Sequence, residues 1–145
     1  MKNYSKAMVL FFLLMAAGTA SAAITVGVST DAGTYNVGDK ITVTATVYDG
    51  SSALNKVTVT TAIRFVTTSV RYWNGFGNTG TDGAVTWNDA QVGETWYNGK
   101  YKVTARISIN GKVYTTSADF EVNNPDYIYA PKPRPRPKLP LSVCP

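Results

Sequence analysis

Nine carboxylates, a single thiol and no imidazole are the groups from which this 145-residue chain could build acid–base or nucleophilic chemistry. The carboxylates, from Asp31 to Asp126, fall mostly in Gly- and Asn-rich turns or opposite lysines on alternating segments. Glycoside hydrolysis needs two of them across a cleft, and a domain this small rarely carries a deep one. Without histidine, Ser-His and Cys-His nucleophilic pairs and His-ligated zinc drop out. No run of closely spaced acidic ligands suits a calcium loop. The chain is therefore expected to be no enzyme, to use no cofactor and to hold no metal. A small hydrolase is the least favoured reading.

Recognition is better served than catalysis. Trp73, Trp87 and Trp96 crowd into residues 67–98 with Tyr72, Phe76 and Tyr97. An aromatic ring can stack on the apolar face of a sugar while a nearby amide bonds its hydroxyls. Tyr72, Trp73, Asn74 and Phe76, in the Gly/Asn-rich stretch Tyr72 to Asn78, are the candidate binding residues of the body, expected as an exposed loop. Trp87, on an alternating segment, is assigned to the core, and Trp96 stays open between core and surface.

A second candidate lies near the C-terminal end. Lys132, Arg134, Arg136 and Lys138 alternate with prolines, which fix φ and supply no amide donor, so a polyproline II-like arm is expected. That arm is either a solvated tail or a basic contact for an anionic envelope polymer, lipid headgroups or a protein partner. Cys144 has no partner within the chain. It is either incidental or the donor of an intermolecular disulfide. Tyr127, Ile128 and Tyr129 either fold back as one more edge segment or serve as a short docking motif.

The elements that must carry these groups are strands. Lys100 to Val122 reads as a hairpin about Asn110-Gly111, a pair suited to positive φ at both turn positions. A two-residue turn makes facing residue numbers sum to 221. It puts Tyr101, Val103, Ala105 and Ile107 opposite Phe120, Ala118, Thr116 and Tyr114, and sets Lys102 against Asp119 and Lys100 against Glu121. Period-two alternation also predicts strands over Ile24 to Ser29, Lys40 to Tyr48 and Lys56 to Val66, and shorter ones over Val70 to Trp73 and Ala84 to Trp87. Residues Asn74 to Asn78 and Asn88 to Gly93 are expected as loops. Spaced this way, the segments indicate an all-β sandwich of about seven antiparallel strands over residues 23–124, followed by a disordered proline-rich tail over residues 125–145.

Residues 1–22 read as a signal peptide. Lys2 and Lys6 precede the apolar run Met8 to Ala17, and Ala20-Ser21-Ala22 places small residues where a signal peptidase reads. That run is shorter than the roughly 20 residues a membrane span needs. The chain thus reads as an exported bacterial protein, secreted, periplasmic or held at the cell surface. Residues 23–124 hold eight basic and eight acidic side chains, so the excess positive charge is expected in the tail and not the body. No nucleic-acid partner is expected.

Tyr35-Asn36-Val37-Gly38-Asp39 leading into Ile41 to Val47, then Thr81 to Trp87, and Asn98 to Val103 before a strand ending Phe120-Glu121-Val122, resemble bacterial immunoglobulin-like modules of the invasin and macroglobulin-like type. Tyr101 stands where such folds place a tyrosine corner. The resemblance implies the fold and a role in surface binding. The sequence reading is a non-enzymatic binding or structural protein of the envelope or extracellular space. A carbohydrate-binding module is the alternative, with a glycan as the possible ligand.

Overall fold

Asn110 and Gly111 take φ of 51° and 76°, the backbone that a two-residue hairpin turn with the strands' own twist requires. They join β8 (Gly99–Ile109) to β9 (Lys112–Asn123), and every facing pair from Ile109–Lys112 to Gly99–Val122 keeps the expected register. Tyr101, Val103, Ala105 and Ile107 are buried on one face of it. On the other, Lys102 Nζ lies 3.7 Å from the Asp119 carboxylate. That exposed pair contributes at most about 1 kcal/mol. The buried face therefore fixes the register, and the charge pair only agrees with it.

The computed structural model describes residues 23–134. The expected signal peptide, and Arg136, Lys138 and Cys144 of the tail, lie outside the described residues. Before the hairpin come β1 (Ile24–Thr30), β2 (Thr34–Asn36), β3 (Lys40–Asp49), β4 (Ser52–Ala53), β5 (Thr58–Phe65), β6 (Arg71–Asn78) and β7 (Ala84–Gln91). Among the described residues there is no helix, so the fold is all-β. One sheet runs β2-β9-β8-β5-β6; the other centres on β3, flanked by β1 and by β7, with β4 paired to the end of β3. Ile41, Val43, Ala45 and Val47 of β3 face the inner side chains of β5 and β8, and the core fills the space between the sheets.

The strands number nine, not seven, and one pairing is parallel: β2 runs alongside the end of β9. The short β2 was hidden by its turn-like composition. Tyr35 pins it, buried edge-on against Phe120 at 5.4 Å. Its hydroxyl donates to Asp31 Oδ1 at 2.6 Å, and the Thr42 amide donates to the same oxygen at 2.9 Å.

Two expected loops are strands. Asn74 to Asn78 belong to β6, where Gly75 and Gly77 turn their bare Cα atoms inward. A Cβ on Gly75 would lie 2.5 Å from the Trp73 ring, and one on Gly77 2.9 Å from Val85. The glycines are there because indoles need their space. Asn88 to Gln91 belong to β7, which carries an extra residue between Trp87 and Ala90. That bulge leaves Asn88 and Asp89 both exposed and obscures the alternation.

One end of the core is aromatic. Trp96 is buried and stacks on Tyr101 at 5.1 Å, which settles its place. Beyond Asn124, Tyr127 stacks on Tyr97 at 4.8 Å and Tyr129 packs on Phe65 at 5.9 Å. Of the two arrangements open for this segment, folding back is the one observed. It docks as an aromatic flap, not as a strand, held by the Asn98 amide donating to the Tyr127 carbonyl at 2.8 Å.

Candidate functional site

The outer face of the five-stranded sheet is built by register. In β5 the inward residues are Val59, Thr61, Ile63 and Phe65, so Thr60, Ala62 and Arg64 point outward. Pairing then lines up three rows across the strands. The first reads Arg71, Arg64, Lys102, Asp119; the second Asn74, Ala62, Thr104, Ser117; the third Phe76, Thr60, Arg106, Thr115. Neighbouring strands lie about 4.8 Å apart, so the first row packs three cations side by side.

Like charges directly opposite on adjacent strands are destabilising. Lys102 is relieved by Asp119, and it is the one cation with a carboxylate within 4.0 Å among the described residues. Arg64 and Arg71 face each other without such relief. Replacing Arg64 with glutamine is therefore expected to raise stability at low salt by about 0.2–1 kcal/mol. The gain should fade at about 0.5 M salt as screening removes the repulsion. Chemical denaturation at the two ionic strengths checks this, and a loss of stability at low salt would contradict it.

Arg64, Arg71, Asn74, Phe76, Thr60 and Arg106 line a shallow groove of about 390 Å³ on this face. Ala62 leaves its floor open between the longer side chains. Phe76, at 70% exposure, is the most exposed large apolar side chain of the described body. A planar guanidinium pair can hold a carboxylate or similar anion bidentately, and the exposed ring, four residues farther along the strands with hydroxyls and an amide between, can cover an apolar surface.

Of the four body residues proposed from sequence, the structure brings two to this face. Asn74 and Phe76 point outward on β6. Tyr72 and Trp73 do not project as an exposed loop. Tyr72 is the extra residue of a bulge opposite Ile63 and Arg64, packed on Trp96 at 4.9 Å and Tyr101 at 5.4 Å. Trp73 turns inward, edge-on to Trp87 at 6.1 Å. Burial of ring surface outweighs the local Gly/Asn composition. Trp87 is half-buried against both parts of the core, and its indole donates to the Phe76 carbonyl at 3.4 Å, tying β6 to the opposite sheet. In the tail, Lys132 and Arg134 are exposed.

Arg64, Arg71 and Arg106 were missed because the body's charges cancel in sum. Lys100 and Lys102 share their face. Five of the body's eight cations thus gather on one face, with Asp119 and Glu121 as its carboxylates. The alternation placed Arg64 and Arg106 on outward positions, but only the pairing of β5 with β8 and β6 puts them together.

No protein family matches the chain, and no curated protein does. Among solved structures it is similar to the DNA-bound alkylpurine DNA glycosylase AlkC of Pseudomonas fluorescens, at 19% identity and a TM-score of 0.45 over 70% of this chain. This chain spans only 30% of that glycosylase chain. It is also similar to the soluble domain of PmoD from Methylocystis, at 12% identity and a TM-score of 0.45, covering 69% of this chain and 90% of that one. A CARDB domain from Pyrococcus furiosus, solved in complex with di-metal ions, aligns at 15% identity and a TM-score of 0.42, covering 84% of this chain and all of that one (100%).

Proposed function

We propose that this chain is an exported, non-enzymatic binding protein of the cell envelope or extracellular space, with an immunoglobulin-like body. That body engages an anionic partner through the outer face of its five-stranded sheet. The row Arg71, Arg64, Lys102 carries this reading, because adjacent cations cost stability that a bound anion would return. The basic proline-rich tail is a second contact for the same kind of partner. Two features support the immunoglobulin-like assignment: sheets of β1-β3-β7 and β9-β8-β5-β6 facing across one core, and Tyr101 donating its hydroxyl to the Tyr97 carbonyl at 3.0 Å in the manner of a tyrosine corner. Three of the carboxylates serve the architecture. Asp39 accepts the Asn36 amide at 2.7 Å, Asp82 accepts the Ala84 amide at 3.0 Å, and Asp31 anchors Tyr35.

Elution from a heparin column tests the location of the charge effect. The Arg64→Gln/Arg71→Gln protein should elute at clearly lower salt than a Lys40→Gln/Lys56→Gln protein, which loses the same net charge elsewhere. Equal elution of the two would mean that net charge alone governs binding, and the face would lose its role.

A further inference from the structure

We propose that the ligand of this face is an acidic polysaccharide, a glycan chain carrying carboxylates, laid across the rows of Arg71–Arg64–Lys102 and Phe76–Thr60–Arg106. The proposal rests on the reading of the face as an anion-binding surface and names its ligand. Three features of the groove select this chemistry over other anions. The first is length. Arg64 and Thr60 are four residues apart on β5, so the cation row and the Phe76 row are separated by about 13 Å. A single small anion cannot touch both, whereas a chain of linked sugars can.

The second is the material between the charges. Thr60, Asn74 and Thr104 line the groove, and Ser117 and Thr115 continue the same rows on β9. Hydroxyls and an amide answer the hydroxyls of a sugar, and offer little to the acyl region of a bilayer. The third is Phe76. One highly exposed ring on a rigid strand, backed by the Trp87 bond to its own carbonyl, presents a flat apolar surface to a pyranose face. A nucleic acid would engage the cations through phosphate. It would find a single ring where successive bases ask for several.

Binding of the full exported chain to polygalacturonate, measured beside polyglutamate, dextran and duplex DNA at one ionic strength, tests this. Polygalacturonate should bind about tenfold more tightly than polyglutamate or DNA, and dextran should not bind. Phe76→Ala should weaken polygalacturonate binding about tenfold, a difference of one decade in Kd, and leave polyglutamate binding unchanged. Arg64→Gln/Arg71→Gln should weaken both. Equal affinity for polyglutamate or DNA, or an equal loss on Phe76→Ala for both polymers, would overturn the glycan proposal and leave the basic face standing. Dextran binding as tight as that of polygalacturonate would overturn the acidic part of it. If Arg64→Gln/Arg71→Gln binds both polyanions like the parent, the basic face itself falls.

Discussion

Replacing Tyr101 with alanine is expected to lower stability by about 4 kcal/mol and the melting temperature by about 15 °C or more. The ring is fully buried. It is surrounded by Phe65 at 5.2 Å, Tyr72 at 5.4 Å, Trp96 at 5.1 Å and Phe120 at 5.6 Å. Its loss opens a cavity that four other rings cannot fill without leaving their rotamers. Tyr101→Phe keeps the packing and removes only the bond to the Tyr97 carbonyl, at a cost of about 1–2 kcal/mol. Thermal melts of the two variants separate packing from hydrogen bonding, and a loss under about 1 kcal/mol for Tyr101→Ala would show that the aromatic end is not core.

The same end gives the fold an alkaline limit. Burial pushes the Tyr101 hydroxyl far above its ordinary range, and burial also raises Tyr72 and Tyr35. In the unfolded chain these phenols ionise near pH 10, while in the folded chain they stay neutral. Their contribution is complete below about pH 10 and is lost as pH climbs above it, because the unfolded state sheds protons that the native state keeps. Tyr101→Phe should show a shallower decline above about pH 10 than the parent, despite its lower starting stability.

Trp73→Ala is expected to cost about 2–3 kcal/mol, somewhat below the range for a fully buried ring, whereas Phe76→Ala should change stability by less than about 0.5 kcal/mol. The two residues are three positions apart in a stretch whose composition says loop. Trp73 rests on Trp87 and the core, and Phe76 meets solvent. Melting curves of both variants check the pair. Equal destabilisation would place Phe76 in the core and remove the aromatic part of the binding face.

That stretch also shows how far the sequence could be read. The hairpin from Gly99 to Asn123 was legible to the residue, because alternation, an Asn-Gly turn and a charge pair all favoured one register. The strand over Lys40 to Tyr48 was legible for the same reason, its four inward residues being strictly apolar. β6 was not. Two of its inward positions are the glycines Gly75 and Gly77, whose role depends on indoles from Trp73 and from Trp87 on another strand. Local composition therefore signalled loop, while tertiary packing made a strand. The candidate site was half legible: Asn74 and Phe76 stand out within a short window. Arg64, Arg71 and Arg106 become a group only through pairings that join residues up to about forty positions apart. A segment charge of zero concealed a body with five of its eight cations on one face.

The most direct measurement of the central claim is a titration of the isotope-labelled chain over residues 23–145 with an oligogalacturonate, followed by backbone amide and arginine side-chain NMR. Shifts should concentrate on Arg64, Arg71, Asn74, Phe76, Thr104 and Arg106, with the residues of β1, β3 and β7 unmoved. Shifts confined to the tail, or centred on the β1-β3-β7 sheet, would contradict the assignment of the outer β5-β6-β8 face as the binding site.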